Sequence, residues 1–304
     1  MKARGGCFKM KPFYKTMFWV SILLVLASIV LLVSYGLNLG VDFKGGSVVE
    51  IEFQEGRPTI DDIKLVLTEA GLTEVAANNT GDSGIMLRTK ELSEPEHQNI
   101  LSVIRNNFPG VEEKKFDSIG PVIGDELKRK SVTATILVLL AVIVYIAIAF
   151  RKLSRTLSPW IMGVAAITAL LHDVLIPLGV FAVLGRFYGI EISAIFVAAV
   201  LTILGYSVAD TVVVFDRVRE NIVRGSSGSV VESFPAIVHK SILQTLTRSL
   251  NTTFTTLLSL FAIYFFGGES IKYFALALII GIFLGAYSSI FVASPLLVWW
   301  SRTK

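Results

Sequence analysis

The sequence predicts an α-helical membrane protein with six transmembrane helices and a ferredoxin-like α+β domain between the first two helices. The first observation is composition: 53% of the residues are hydrophobic, only 17% are charged, and the mean hydropathy is +0.67. A soluble domain of 304 residues does not need so much apolar surface. The second is a series of six long apolar segments, and the third is one polar, alternating stretch that separates the first segment from the others.

The N-terminal part divides into a basic tail, residues 1–16, and a first apolar helix, residues 17–35. A basic flank before an apolar run is also typical of a cleavable signal peptide. However, this apolar core is longer than the usual signal-peptide core, and no clear small-x-small cleavage site follows it. We therefore expect a retained transmembrane helix, because about twenty apolar residues span a bilayer. The single cysteine, Cys7, excludes an intrachain disulfide.

Residues 36–130 are predicted to form the α+β domain, because alternating patterns replace the continuous apolar run. Ser47–Phe53 alternates with period two, as a half-buried strand does. Thr59 and Asp62 form a capping box that predicts the start of a helix, which Gly71 can end. Ser93 and Glu96 form a second capping box, which predicts a helix over 94–108. Further strands are predicted near 74–77, at 84–88 and at 111–117, with a turn at 78–82.

The resulting order β-α-β-β-α-β is the split, ferredoxin-like arrangement. A domain of about 90 residues is long enough to hold a modest core of its own. The domain shows no cluster of catalytic residue types. Its histidine, His97, stands alone on a predicted helix, and we expect it at the solvated surface.

Five more apolar segments form the predicted bundle, residues 131–304. They are Val132–Phe150, Pro159–Leu184, Ile192–Phe215, Leu250–Phe266 and Tyr273–Trp300. With a cytoplasmic N-terminus, the inner segments hold 15 Lys and Arg, the short outer loops hold 2, and the α+β domain holds the other 11. Long translocated domains are largely exempt from the positive-inside rule. The charges therefore predict a multi-pass inner-membrane protein with both termini cytoplasmic and a periplasmic α+β domain.

The connection between the fourth and fifth apolar segments, from Arg219 to about Thr247, is long for an interhelical loop. Its first part, Gly225–Ser229, is rich in Gly and Ser and is expected to be flexible. Two interpretations are open for Val230–Leu246: an amphipathic helix along the cytoplasmic face, or a cytoplasmic extension of the fifth helix.

The fourth apolar segment contains an aspartate, Asp210, five residues before its end at Phe215. A carboxylate in hydrocarbon costs roughly 2.5–3.5 kcal/mol, so it usually faces a polar partner or a water-filled cavity. The alternative is a helix-end position from which the side chain reaches the interface, although its stem is too short to reach far. We favour a functional role.

Arg248 stands at the inner end of the fifth segment, so it can share a level with Asp210. Thr252, Thr255 and Ser259 follow it on one helix face, with Asn251 beside them. We interpret Asp210, Arg248, Asn251 and Thr252 as candidate proton-relay residues. The alternative for Arg248 is a plain positive flank of the membrane.

Two polar residues, His172 and Asp173, lie near the middle of the third segment. Asp173 is either a further proton-relay residue or a structural tie to a neighbouring helix, and His172 is expected to be structural. Asp173 lies roughly 20 Å from the inner face and would need water to reach the other candidates. In the sixth segment, the small residues Ala277, Gly281, Gly285 and Ser289 recur every four positions, and helix packing is sufficient to explain them.

Five motifs, in this order and topology, resemble the SecF family, within the resistance-nodulation-division superfamily. They are Gly40–Gly46, Ser118–Leu127, Leu171–Asp173, Gly205–Asn221 and Thr247–Thr253. The resemblance covers nearly the whole chain and implies a periplasmic domain between helices one and two and pseudo-symmetric pairing with six helices of SecD. A chain of this length resembles the separate rather than the fused form. Asp210 and Arg248 match family positions associated with proton movement.

The resemblance implies a non-enzymatic accessory of the Sec machinery that, with SecD, uses the proton motive force to assist polypeptide translocation. The implied partners are SecD, the SecYEG channel and YajC, with YidC as a further candidate, together with the exported unfolded polypeptide and membrane lipid. No cofactor and no nucleic-acid partner are expected. Because added strands bind extended chains without reading sequence, the exposed sheet or its edge is the expected contact for the exported chain.

Two other classes of function were weighed. A proton-driven small-molecule exporter of the same superfamily would need more outer surface than one domain of about 90 residues provides. An intramembrane aspartyl protease is suggested by aspartates in adjacent helices, Asp173 and Asp210. Those enzymes carry the second aspartate in Gly-x-Gly-Asp, whereas this sequence reads Ser-Val-Ala-Asp210.

Overall fold

The computed structural model describes residues 12–54, 56–69, 71–72, 74–151, 159–225 and 232–301. Most of the predicted basic tail and of the Gly- and Ser-rich segment after Gly225 therefore lies outside the described residues. The chain divides into two compact units. One is an α+β unit made of Leu39–Thr133 together with Glu191–Ala194, and the other contains the membrane helices.

In chain order, the elements are α1 (Pro12–Tyr35), α2 (Val41–Lys44), β1 (Gly46–Phe53), α3 (Ile60–Glu69), β2 (Ala76–Thr80), β3 (Gly84–Thr89), α4 (Glu94–Asn107), β4 (Val111–Ile119), α5 (Pro121–Ala149), α6 (Pro159–Tyr188), α7 (Ala194–Gly225), α8 (Phe234–Phe266), α9 (Glu269–Ser288), a π-helical turn (Ser289–Ala293) and α10 (Ser294–Ser301). Among the described residues, six helices are long and apolar enough to cross a membrane. They are α1, α5, α6, α7, α8 and the continuous run from α9 to α10. The second of them begins at Pro121, inside the stretch that the sequence assigns to the α+β domain.

The α+β unit contains one four-stranded sheet with the order β2-β3-β1-β4, in which every neighbouring pair is antiparallel. This order confirms the split, ferredoxin-like arrangement. Alternation along β1 turns Val49, Ile51 and Phe53 to one side, where they form a core with apolar residues of α3 and α4. Ile51, Ile63 and other members of this core are fully buried, so the unit has a hydrophobic interior of its own.

Both predicted capping boxes are confirmed. The Asp62 backbone N–H donates to Thr59 Oγ1 over 3.2 Å, and the Thr59 N–H donates to Asp62 Oδ2 over 3.3 Å. Ser93 and Glu96 form the second box at the start of α4. The predicted turn at 78–82 is wrong in its first half, because β2 extends to Thr80. Pairing with β3 overrides the weak strand preference of the two asparagines, and the reversal starts only at Gly81, where φ is +56°.

His97 is buried, so its predicted place at the solvated surface is wrong. Its Nε2 lies 2.9 Å from Glu113 Oε1 on β4, and its ring stacks on Phe116 with the centroids 3.7 Å apart. The histidine faces the sheet because the inner face of α4 repeats at helical spacing, with Ile100, Leu101 and Ile104 as its other buried residues. A lone polar residue on an amphipathic helix can therefore belong to the buried face.

The segment Gly40–Gly46 is shaped by close backbone approaches. Gly45 and Gly46 have φ values of +77° and +122°, and a Cβ atom on Gly46 would lie 2.6 Å from the Thr89 carbonyl oxygen. The segment also binds residues 191–194 of the same unit. The Gly40 N–H donates to the Ile192 carbonyl oxygen over 2.9 Å, and Asp42 Oδ2 accepts from the Ala194 N–H over 2.6 Å. The double glycine is therefore required by geometry.

A half-buried ion pair also links residues 191–194 to strand β3 of the same unit. Arg88 Nε on β3 lies 3.1 Å from Glu191 Oε2. Burial raises the pKa of Glu191, and the positive charges of Arg88 and Lys44 oppose that shift. The proton affinity of this carboxyl is thus set by desolvation more than by its ion pair.

The fourth and fifth membrane helices are longer than their apolar segments. α8 begins at Phe234 and continues without interruption to Phe266, which confirms the interpretation of the preceding segment as an extension of the fifth helix. Polar contacts join the two extended ends: Arg217 Nε donates to Gln244 Oε1 over 2.7 Å, and Asn221 Nδ2 donates to Ser241 Oγ over 2.8 Å. The two helices therefore remain in contact beyond their apolar segments.

Gly179 allows the first and third membrane helices to pack closely. A Cβ atom on Gly179 would lie 2.6 Å from Ser28 Cβ and 2.7 Å from Ser28 Cα, so the α1 backbone would have to move. We expect Gly179→Ala to destabilise the chain by about 1–3 kcal/mol, the usual cost of overpacking. Thermal unfolding of the purified chain in detergent measures this effect.

Gly163 is the matched control, because it lies on the same helix and a Cβ atom there meets nothing closer than 3.9 Å. Gly163→Ala should be neutral or stabilise by about 0.5–1 kcal/mol, since alanine favours a helix interior. Equal melting temperatures for the two variants would show that α1 and α6 do not depend on this close approach.

Candidate functional site

Asp210 lies on α7 with its carboxylate turned into the helix bundle, and the residue is 7% exposed. Its two oxygens accept from two different helices. Ser249 on α8 donates its hydroxyl to Oδ1, and Ser289 at the start of the π-helical turn donates to Oδ2 over 2.7 Å. Two neutral donors therefore compensate part of the cost of burying this group.

Asp173 on α6 is fully buried and has three polar partners. Its Oδ1 lies 2.8 Å from Nδ1 of the preceding residue, His172. Its Oδ2 accepts from Ser207 on α7 over 2.5 Å and from Ser288 on α9 over 2.7 Å. The carboxyl thus connects three membrane helices, α6, α7 and α9, which agrees with the structural role considered for it. The same hydrogen-bond network is also suitable for proton transfer.

The spacing along the sequence predicts that Asp173 needs water to reach Asp210. Instead, consecutive residues of one helix, Ser288 and Ser289, each bind one of the two carboxylates. The rise of about 1.5 Å per residue means that these two positions lie at nearly the same depth. The two aspartates therefore belong to one polar cluster.

His172 extends the cluster towards the first membrane helix. Its ring stacks on Tyr287, with the centroids 6.0 Å apart. The Tyr287 hydroxyl donates to the Met17 carbonyl oxygen over 2.8 Å and accepts from the Ser21 hydroxyl over 3.2 Å. Polar groups therefore continue from Asp173 to α1.

The structure does not place the other predicted relay residues in direct contact with Asp210. Arg248 and Asn251 have exposed side chains, and neither makes a hydrogen bond or ion pair with its side chain among the described residues. The Thr252 hydroxyl donates to carbonyl oxygens of its own helix. Arg248 nevertheless lies near enough for its positive charge to act on Asp210. The residue that touches the carboxylate is its neighbour, Ser249.

The exposed surface of α8 carries a group of polar side chains among apolar ones. The exposed polar side chains are those of Arg248, Asn251, Thr252, Thr255 and Ser259, and exposed apolar residues such as Leu250, Phe254 and Leu258 lie between them in the sequence. The neighbouring side of α7 exposes the small residues Gly205 and Ala209, and nothing lies within 4 Å of a Cβ atom on Gly205. We call these polar residues of α8 and small residues of α7 the open polar face. Small and polar residues are typical of helix surfaces that pack against other membrane helices.

Three buried polar atoms of the membrane helices have no hydrogen-bond partner among the described residues. They are Nε2 of His172 and the hydroxyls of Thr211 and Thr253. Leaving such a group unsatisfied costs about 1–3 kcal/mol. Unsatisfied buried polar groups are rare in native structures, and a functional role is one explanation for them.

Four contact residues were missed as site residues: Ser207, Ser249, Ser288 and Ser289. Ser289 was assigned to packing, and the structure does place its small-residue face against α7, with Gly281 against Ile203 and Gly285 against Ser207. Packing alone does not describe Ser289, because its hydroxyl binds Asp210. A usable signal was the four-residue spacing of Ser241, Thr245, Ser249 and Thr253, which marks the buried side of α8.

The part of the chain that the structure describes contains six helices long and apolar enough to cross a membrane, a split β-α-β unit between the first two, and carboxylates buried among hydroxyls. These features together indicate a multi-pass membrane transport protein. Comparison with known families gives the particular group. The family described as "Protein export membrane protein SecD/SecF, C-terminal" matches residues 99–303. The "SecD/SecF GG Motif" matches residues 30–56, which include Gly45 and Gly46.

Relatives match over nearly the whole chain. Protein translocase subunit SecF of Thermobaculum terrenum is 44% identical over 296 residues, covering 93% of this chain and 90% of that protein. Protein translocase subunit SecDF of Brucella abortus is 37% identical over 294 residues, covering 94% of this chain but 37% of that protein. The crystal structure of SecDF, a translocon-associated membrane protein from Thermus thermophilus, has a TM-score of 0.82 at 31% identity, covering 99% of this chain and 40% of that one. The chain belongs to the SecD/SecF family of protein-export membrane proteins.

Proposed function

We propose that the two buried carboxylates are the proton-handling centre of an accessory subunit of the Sec machinery, which works with SecD in protein export. Membership in the SecD/SecF family places the chain in protein export. The observation that carries the proton-handling role is Asp210, a carboxyl buried in the membrane between two hydroxyl donors and close to the charge of Arg248. Ionisable residues within membrane helices typically mark proton relays and ion pathways.

SecD is the proposed cover of the open polar face. Polar side chains facing lipid are unfavourable because hydrocarbon offers no hydrogen-bond partners. In the fused SecDF relative of Brucella abortus, additional chain accompanies the part that this chain matches. A second bundle packed on α7 and α8 would bury Arg248, Asn251 and Thr252 and enclose the approach to Asp210. This placement agrees with the pairing that the family resemblance implies.

Proton transfer at Asp210 is proposed to alternate between two arrangements. The ionised carboxylate accepts from Ser249 and Ser289 and is stabilised by the guanidinium of Arg248. In the protonated state the carboxyl no longer attracts Arg248, so the arginine and the covering helices are free to move. Each proton that moves inward releases roughly 2.3 kcal/mol per 100 mV, which is enough to bias two conformations.

Membrane vesicles provide the test. They contain the chain with SecD and the SecYEG channel, and export of a polypeptide is followed with and without an imposed proton gradient. The proposal requires that stimulation by the gradient depend on an ionisable group at position 210. A neutral side chain there that leaves the stimulation intact would overturn it.

The α+β unit is proposed to act on the periplasmic side of the inner membrane. The positive-inside rule supports this orientation, because the proposed inner segments hold 15 Lys and Arg and the short outer loops hold 2. Its edge strand β2 pairs only with β3 and carries no charged side chain, whereas the other edge, β4, carries five. Charges on an edge discourage strand addition. We therefore favour β2 as the edge to which an exported, extended polypeptide adds.

Asn79 on β2 tests orientation and contact together. Asn79→Cys should react with a membrane-impermeant reagent from outside the cell, and a cleavable cross-linker attached there should capture an exporting polypeptide. Glu232→Cys, next to the start of α8, is the control and should react only after the membrane is permeabilised. Reaction of the Glu232 variant in intact cells would contradict the topology, and a labelled Asn79 variant that captures no exporting chain would contradict the edge contact.

Two further statements about function are part of the proposal. We propose that the chain acts without a catalytic centre, because its relatives are named as translocase subunits. SecYEG, YajC and YidC remain proposed neighbours on the strength of the family resemblance alone. Small-molecule export is disfavoured because the relatives are translocase subunits.

A further inference from the structure

The sixth membrane helix presents two consecutive serines to carboxylates on two different helices. Ser288 Oγ lies 2.7 Å from Asp173 Oδ2 of α6, and Ser289 Oγ lies 2.7 Å from Asp210 Oδ2 of α7. All four residues are buried. One short stretch of backbone therefore contacts both candidate proton-handling groups.

The backbone at this point is not a regular α-helix. Residues Ser289–Ala293 form a π-helical turn, a rare feature that is frequently located at functional sites. The turn is followed by Ser294 and Pro295, and proline has no N–H to donate to the preceding turn. The hydroxyl of Ser294 donates to the Ser289 carbonyl oxygen over 2.7 Å, five residues earlier. A proline and a bond from a side-chain hydroxyl to the backbone therefore accompany the change of register at Ser289.

Each of the two serine hydroxyls has a second acceptor within its own helix. Ser288 Oγ is 3.2 Å from the Gly285 carbonyl oxygen, and Ser289 Oγ is 3.0 Å from the Ala286 carbonyl oxygen. A hydroxyl has one proton to donate and lone pairs to accept. When a carboxyl is ionised, the serine hydroxyl donates a hydrogen bond to it. When the carboxyl is protonated, its O–H donates a hydrogen bond to the serine oxygen, and the serine hydroxyl donates to the carbonyl.

We propose that Ser288 and Ser289 are positioning residues that couple the protonation of Asp173 to that of Asp210 through the π-helical turn. Ser288 ends α9 and Ser289 begins the π-helical turn, so reorienting either hydroxyl changes the hydrogen bonds at the junction that carries both serines. The protonation state of one carboxyl thereby alters the donor available to the second. This inference rests on the proposed proton-handling function and adds residues and a coupling to it.

Other titratable or charged groups lie near the two carboxylates, and their influence on proton binding must be distinguished from that of the serine pair. Arg248 acts on Asp210 from α8, and His172 binds Asp173 within α6. Tyr287 of α9 stacks on His172. None of these groups contacts both carboxylates through a hydrogen bond among the described residues, whereas the serine pair does.

The experiment measures proton binding at Asp210 directly. The chain is purified with SecD and reconstituted in liposomes, and the infrared band of the protonated carboxyl is titrated with pH. The Asp210 band is identified by its loss in Asp210→Asn. The pH at which half of the Asp210 band is lost is its titration midpoint. The difference between the midpoints of the unchanged chain and of Asp173→Asn is the coupling, in pH units. We expect a coupling of at least about one pH unit, tenfold in proton affinity. The double variant Ser288→Ala, Ser289→Ala should reduce it to about 0.3 units or less, twofold.

Ser249→Ala is the matched control, because Ser249 also donates to Asp210 but lies on α8 outside the turn. It should shift the Asp210 midpoint while preserving the coupling to Asp173. If the alanine variants do not fold, Ser288→Cys and Ser289→Cys retain size and a weaker donor and should give an intermediate coupling. A coupling unchanged by the serine substitutions, as direct charge repulsion would give, overturns the proposal, and so does its absence from the unchanged chain. Retained gradient-dependent export in Asp210→Asn would instead reject the proposed function.

Discussion

Asp210→Asn is expected to remove the stimulation of protein export by the proton gradient while leaving the chain folded and paired with SecD. Asparagine has nearly the shape of aspartate and can still accept from Ser249 or Ser289, but it cannot ionise. Export with the gradient should therefore fall to the level measured without it. Asp210→Glu retains an ionisable group on a longer stem and should keep part of the stimulation. Vesicles with and without an imposed gradient supply the measurement.

Asp216→Asn is the matched control for this prediction. Asp216 lies on the same helix, is exposed, and forms an ion pair with Arg219 over 2.7 Å. Exposed ion pairs are worth little, typically below about 1 kcal/mol, so its loss should leave export unchanged. If Asp210→Asn retains full stimulation by the gradient, the carboxylate has a structural role and the proposed mechanism fails.

Arg248→Ala should also abolish the response to the gradient, although the reason differs. In the proposed mechanism the guanidinium supplies the positive charge that stabilises the ionised form of Asp210, and Arg248 is exposed on the open polar face, where SecD is proposed to bind. Without it, the carboxyl loses the charge that distinguishes its two arrangements. Arg248→Lys keeps the charge but not the planar fork of donors, so we expect partial activity. The same vesicle assay compares both variants.

Lys240→Ala provides the control on the same helix. Lys240 is exposed on α8 and pairs with Glu232 over 3.0 Å, away from the carboxylate cluster. Its removal should leave stimulation by the gradient intact. Full stimulation in Arg248→Ala would contradict a role in proton transfer. It would support the alternative interpretation of Arg248 as a positive flank that only sets topology.

The α+β unit shows how far local patterns predict a fold. Its capping boxes, its β-α-β-β-α-β order and the strand at Ser47–Phe53 were predicted because each depends on residues a few positions apart. The end of β2 and the burial of His97 were not predicted. Both depend on the partner strand or sheet, which lies far away in the sequence.

The candidate site was predictable only in its charged residues. Asp210 and Asp173 stand out because an acid within an apolar run costs free energy in the membrane, so it usually has a polar partner or a function. Serines carry no such signal, since a hydroxyl within a membrane helix readily donates to a carbonyl of its own turn, as Ser28 does. Sequence spacing predicted that Arg248 can lie at the same depth as Asp210, whereas the observed rotation of α8 brings Ser249 to the carboxylate.

The sequence by itself determined the number of membrane helices, the class of the domain between the first two and the residues that are costly in lipid. These properties follow from composition and short-range periodicity, because a bilayer demands long apolar runs and a half-buried strand demands alternation. Only the tertiary structure decided which hydroxyls meet which carboxylates and that Ser288 and Ser289 serve two of them. That choice depends on helix rotation, on close contacts such as Gly285 against Ser207, and on a π-helical turn, all of which are set by packing between distant segments.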